Sequence, residues 1–193
     1  MTKTKKSLKR ELIEWGLIIA IPLGLYLTGT HTIVLGSIQR VVLMSGIFTP
    51  DFDIPESDQK NASYDFKLTN QQGERLDFSK FKGKTVFLNF WATWCAPCIA
   101  EMPDIQNLYD KTRSDVEFVM ISVDSDPQKT WGFADKKGFT FPIYRRSSLI
   151  PEVYERQVIP TTFVISPEGK IVAERHGMAK YDTEEFREFL VGL

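Results

Sequence analysis

The sequence predicts an α/β domain: a central mixed sheet flanked by helices, opened by an N-terminal β-hairpin and preceded by an N-terminal transmembrane helix. Three observations carry that expectation. Two continuous apolar runs, 85–91 and 116–123, read as strands covered on both faces, and each is followed by a helix-period segment. A later apolar run, 160–165, meets a turn at Pro167-Glu168-Gly169-Lys170 and returns over 171–174 as an antiparallel pair. From Trp15 to Gln39 there is no Asp, Glu, Lys or Arg over 25 residues, and about 20 suffice to cross a bilayer core.

Residues 1–14 form a basic leader with Lys3, Lys5, Lys6, Lys9 and Arg10. Residues 1–40 carry +4, so the remainder carries −5 within a formal net charge of −1. Positive charge ahead of an apolar span places the N-terminus in the cytoplasm and the bulk of the chain outside. The densest apolar part, Trp15 to Leu27, is too short alone, so the span is expected to reach through Thr28 to Thr32 to the far interface. A cleaved signal peptide would fit the charge and the apolar length, but no A-x-A cleavage site follows. A buried helix would need a second helical layer to cover it. Residues 15–39 are therefore read as a retained signal-anchor. Val41 to Phe48 is too short to cross, and 40–60 reads as a membrane-proximal linker with Pro50 and Pro55.

The domain is expected over 61–193. Tyr64-Asp65-Phe66-Lys67-Leu68 alternates, Asn70 to Gly73 turns, and Arg75-Leu76-Asp77-Phe78 resumes, which is a hairpin signature. Strand 85–91 leads into a helix reaching about Arg113, with Pro103 as an expected kink. Strand 116–123 leads into a helix over about 128–137 that stops at Gly138. Phe139 to Tyr144 is extended, and 149–156 is a short helical piece. Thr183 to Leu190 closes the chain as an amphipathic helix, with Asp182 a candidate N-cap.

Composition excludes some functions. The near-neutral charge, without a Lys/Arg cluster in the later two-thirds, argues against a nucleic-acid partner. Two cysteines cannot staple a scaffold, and the loop between Cys95 and Cys98 is too small to constrain an unfolded chain. A strand that delivers a CxxC to a helix N-terminus points instead to thiol–disulfide chemistry, because that position stabilises a thiolate. A zinc half-site lacks a second pair, since only His31 and His176 remain, and Ile99 after Cys98 excludes c-type haem attachment.

Asn89-Phe90-Trp91-Ala92-Thr93-Trp94-Cys95-Ala96-Pro97-Cys98, then Glu101-Met102-Pro103, Ile159-Pro160-Thr161-Thr162-Phe163 and Pro167-Glu168-Gly169 together form a specific pattern. It resembles the thioredoxin-like fold and, more narrowly, the membrane-tethered TlpA/ResA-type thiol–disulfide oxidoreductases of bacteria. That resemblance implies a redox-active Cys95–Cys98 disulfide and no other cofactor or metal. Cys95 would be the attacking thiolate at the helix N-terminus, and Cys98 would resolve the mixed disulfide. Glu101, one helical turn past Cys98, would modulate cysteine ionisation and move a proton; a solvated helix face is the competing reading. Asn89 stands where cytoplasmic thioredoxins hold a buried carboxylate, and it cannot titrate. Pro160 matches the family's cis-proline, and Ile159, Trp94 and Pro97 would shape the substrate groove. Phe90 and Trp91 read as core.

With no histidine between the cysteines, the thiolate is not stabilised as in a strong oxidant, and the resemblance implies a reductase. Protein disulfides would be the substrates, with apocytochrome c, a copper-site protein or a general pool of misoxidised thiols all open. A membrane thiol carrier would be the electron donor. The expected location is the inner membrane, single-pass, with the C-terminal domain on the periplasmic side. The competing reading is a tethered interaction module of peroxidase or copper-delivery type. Ala92 at the peroxidase threonine position and the CxxC spacing count against it.

Overall fold

The apolar run Thr85–Trp91 is the central strand of the domain, with every one of its residues buried. In the computed structural model, which describes residues 8–27, 54–155 and 158–193, seven strands form one mixed sheet. They are β1 (Lys67–Thr69), β2 (Arg75–Asp77), β3 (Thr85–Trp91), β4 (Val116–Ser122), β5 (Ile143–Arg146), β6 (Thr161–Ile165) and β7 (Ile171–His176), in the order β2-β1-β5-β4-β3-β6-β7. β3, β4 and β5 run parallel, while β6 and β7 form the expected antiparallel pair beside β3. Gly169 takes φ 79° in the β6–β7 turn, a left-handed conformation that glycine adopts without a side-chain clash. β1 and β2 form the expected hairpin, and β1 also pairs antiparallel with β5.

Helices α2 (Ala96–Thr112), α3 (Pro127–Lys137) and α4 (Glu184–Gly192) follow β3, β4 and β7. Buried side chains from all three, among them Met102, Ile105, Ala134, Phe186 and Leu190, join one cluster with Phe87, Trp91 and Phe118. The helices of the domain thus cover one face rather than both. Right-handed crossovers from β3 to β4 and from β4 to β5 advance in the same direction and so place α2 and α3 on the same side. The other face, with Val86, Leu88, Phe90 and Phe163, is closed by single helical turns at Phe78–Phe81 and Glu152–Tyr154 and by Phe66. Pro103 lies inside α2, which runs unbroken from Ala96 to Thr112.

Two expectations are corrected. Thr183, not Asp182, caps α4: its Oγ1 accepts from Phe186 N at 3.2 Å. Asp182 is drawn instead into ion pairs with Lys111 and Arg187. Part of the expected linker is also structured. Ile54 N donates to Val172 O, Ala62 N to Gly169 O, and Ile171 N to Lys60 O. Residues 54–62 therefore give partners to backbone groups of β7 and its turn, which sit at the sheet edge.

Among the described residues no helix is long and apolar enough to cross a membrane. Helix α1 (Leu8–Leu27) begins ahead of the expected span, so Lys9, Arg10, Glu11 and Glu14 fall within it. Its uncharged part, Trp15 to Leu27, covers about 20 Å at 1.5 Å per residue, against a hydrocarbon core of about 30 Å. The rest of the expected span, 28–39, and the apolar piece 41–48 lie outside the described residues.

Candidate active site

β3 ends in a turn, Ala92 to Cys95, closed by Cys95 N donating to Ala92 O at 3.2 Å. Cys95 is the N-cap of α2, and its Sγ accepts from Cys98 N at 3.2 Å. The two sulfurs are joined in a disulfide. Both are buried, Cys98 completely. Pro97 sits in the first turn of α2, where its missing N–H leaves no helical bond unmade. Trp94, by contrast, is 63% exposed beside the pair.

The Ile159–Pro160 bond is cis, as the resemblance implied. Cys95 Sγ lies 3.6 Å from Ile159 O, in reach of a thiol donor once the pair is reduced. That loop is fixed from behind. Thr161 Oγ1 donates to Val158 O at 2.8 Å, and Gly177 N donates to Pro160 O at 2.8 Å. Trp94, Leu149, Pro151, Val158 and Ile159, together with Arg146, Glu152 and Glu155, line an open groove of about 640 Å³. Leu149 is 84% exposed along it.

Glu101 is 1% exposed, so its expected alternative as a solvated helix position is overturned. One oxygen accepts from Asn89 Nδ2 at 3.1 Å and the other from Ala179 N at 3.1 Å. Asn89 Nδ2 also donates to Thr162 Oγ1 at 2.9 Å, which accepts from Tyr181 OH at 2.7 Å. Burial pushes the Glu101 carboxyl up to about 8, against the lowering effect of those two donors. Asp104, one turn on, accepts from the Tyr181 and Asp182 amides, so Glu101 and Asp104 both grip the 179–182 loop. Burial raises the Asp104 carboxyl as well, and it drives the Tyr181 hydroxyl well above its ordinary range. Phe90 and Trp91 are fully buried. His176 faces Glu174 and Thr161, and among the described residues no group of His, Cys, Asp or Glu could hold a metal ion.

Residues 50–188 match the family described as Redoxin. The chain belongs to that family. It is 39% identical over 109 residues to the thiol-disulfide oxidoreductase ResA of Bacillus subtilis (strain 168), covering 55% of this chain and 61% of that protein. It is 34% identical over 128 residues to the ResA of Halalkalibacterium halodurans, covering 65% and 73%. The crystal structure of StoA from Bacillus subtilis aligns with a TM-score of 0.55 and 28% identity over 64% of this chain and 94% of that one. This family member is a thiol–disulfide oxidoreductase of the ResA/TlpA type with a thioredoxin-like fold, and Cys95 and Cys98 are its close cysteine pair.

Sequence reading missed Thr162 as the partner of Asn89 and Tyr181 as the donor to Thr162, since they converge from β6 and from the loop after β7. It also missed Asp124, which holds the turn before Cys95. The available signal was a carboxylate directly after the apolar run of β4, at the end of the sheet that carries the cysteines.

Proposed function

We propose that the chain is a membrane-tethered, extracytoplasmic reductase of protein disulfides. One observation carries this reading: Cys95 Sγ receives an α2 amide hydrogen bond while facing the Ile159–Pro160 loop, with the buried acid Glu101 further along the same helix. The helix N-terminus favours a Cys95 thiolate. That thiolate attacks one sulfur of a substrate disulfide, forming a Cys95–substrate bond as the substrate S–S bond breaks. The leaving thiolate takes a proton from solvent. Cys98 then loses its proton and attacks Cys95 Sγ, releasing the second substrate thiolate. Two electrons pass to the substrate, and the Cys95–Cys98 disulfide results.

Glu101 is the proton acceptor for Cys98, directly or through water. A carboxyl at about 8 is matched to a thiol of about 8.5, and such matching favours transfer in both directions. Trp94, Pro97, Ile159 and Pro160 form the substrate side. The open groove beside Trp94 and Ile159, lined by both apolar and charged side chains, supports a polypeptide substrate rather than a small polar thiol. Protein disulfides are the substrates, apocytochrome c among those that fit. The absence of a histidine between the cysteines supports the reductive direction, with a membrane thiol carrier supplying electrons. The basic leader and the uncharged stretch 15–39 support the tether.

The test is Cys98→Ser in native envelopes. Mixed disulfides on Cys95, released by a reductant, are expected and identify the partner. No adduct, together with Cys95 alkylating like an ordinary thiol, would refute the reading. Cys95→Ser should abolish disulfide reduction in a dithiol-driven assay.

A further inference from the structure

The buried carboxylate of Asp124 has no part in the steps above. It lies just past β4 and is 4% exposed. Four neutral donors converge on it. Thr93 N reaches its two oxygens at 3.0 and 3.3 Å, and Thr93 Oγ1 reaches Oδ1 at 2.8 Å. Ser122 Oγ and Thr130 Oγ1 reach Oδ2 at 2.8 and 3.2 Å. Its own backbone is held too: Asp124 N donates to Ser122 Oγ at 3.1 Å, and Arg145 Nη2 donates to Asp124 O at 2.9 Å. A carboxylate buried without a charged partner is tolerated only when its lone pairs are filled in this way.

Half of those donors come from one residue of the active-site turn. Thr93 and Trp94 are the central residues of the Ala92–Cys95 turn. Among the described residues the turn's other hydrogen bonds lie at its ends, where it joins β3 and α2. Without the Thr93 anchor it can pivot about those ends and carry Trp94 and Cys95 with it. The side of the site that receives them, Ile159–Pro160, is fixed independently by Thr161 and Gly177.

We infer that Asp124 is a positioning residue for the redox site: through Thr93 it sets where Cys95 and Trp94 stand against the Ile159–Pro160 loop. Its effect is therefore on reaction with a polypeptide disulfide, which must seat in the groove and align with Cys95 at once. A small disulfide that touches only the sulfur is indifferent to that register. Misplacement by about 1 Å costs on the order of a hundredfold where a reaction depends on alignment. The inference rests on Cys95 being the attacking thiolate.

The experiment uses reduced full-length protein and its Asp124→Asn, Thr93→Val and Thr93→Ser variants. Asn keeps the shape of Asp124 but removes its charge and one acceptor. Val keeps the Thr93 amide but removes its hydroxyl, and Ser retains both. Rate constants are measured with insulin and with glutathione disulfide, alongside the midpoint of chemical unfolding. The insulin-to-glutathione rate ratio should fall about tenfold or more in Asp124→Asn and in Thr93→Val, and stay near wild type in Thr93→Ser. An unchanged ratio in both Asp124→Asn and Thr93→Val, whatever happens to stability, overturns the inference and leaves Asp124 a fold-stabilising residue. Should Asp124→Asn not fold, Thr93→Val decides alone. If instead wild type reacts with neither disulfide, the reading of Cys95 itself has failed.

Discussion

Replacing Glu101 with Gln gives a stability signature that depends on pH in a defined direction. In the folded, disulfide-bonded protein the carboxyl is held up to about 8 by burial, against an ordinary value of 4.5. Below pH 4.5 the folded and unfolded states both keep the proton. Between 4.5 and 8 the unfolded carboxyl ionises while the buried one stays neutral, so wild type loses stability as pH rises. Above 8 both are ionised and the loss levels off. At about 1.4 kcal/mol per pH unit the full loss is roughly 5 kcal/mol, and half of that is easily measured. The glutamine side chain of Glu101→Gln does not titrate and still offers Ala179 N an acceptor. Its amide can be met by the Asn89 side-chain oxygen, which has no hydrogen-bond partner among the described residues. Asp104, Arg175 and Tyr181 also act on this carboxyl or share its network, and they remain in both proteins. Subtracting the two unfolding free energies, measured in denaturant on the oxidised proteins from pH 4.5 to 9, therefore isolates Glu101. Glu101→Gln should gain on wild type steadily up to about pH 8 and then hold. A difference flat within about 0.5 kcal/mol across that range would refute the buried, proton-holding carboxyl and with it the proposed acceptor for Cys98.

The remaining expectations concern the surface, the cap and the tether. Trp94→Ala removes an exposed side chain, so unfolding should move by less than about 0.5 kcal/mol while the rate with a protein disulfide drops severalfold; an unchanged rate would remove Trp94 from the substrate side. Thr183→Ala leaves Phe186 N without its cap and should cost about 1 kcal/mol by chemical denaturation. If residues 15–39 anchor the chain, alkaline carbonate should leave the protein in the membrane pellet, and complete release would end that reading.

The parts of this molecule that were legible in advance are those where one local signal decides the outcome. Thr85–Trp91 is predominantly apolar because both faces of β3 are covered, and the run alone announces that. Gly138 at φ 71° ends α3 where the sequence placed the stop, because few other residues take that conformation cheaply. Asp182 and Thr183 show the limit. Both residue types cap helices, and the choice fell to Thr183 because Lys111 and Arg187, one of them 71 residues away, claim the Asp182 carboxylate. Glu101 is the same problem at the site. A glutamate on a helix is usually solvated, and what buries this one is the 179–182 loop that Glu101 and Asp104 together hold against α2. The chemistry of the cysteines could be read from ten adjacent residues, whereas the proton acceptor proposed for Cys98 and the inferred anchor of the Cys95 turn depend on β4, β6 and the loop after β7. The loop after β7 bonds directly to the cysteine helix at Glu101 and Asp104, β6 reaches Glu101 through Thr162 and Asn89, and Asp124 past β4 holds the turn before the helix, which makes Glu101 and Asp124 the positions where the fold and the proposed chemistry are most tightly joined.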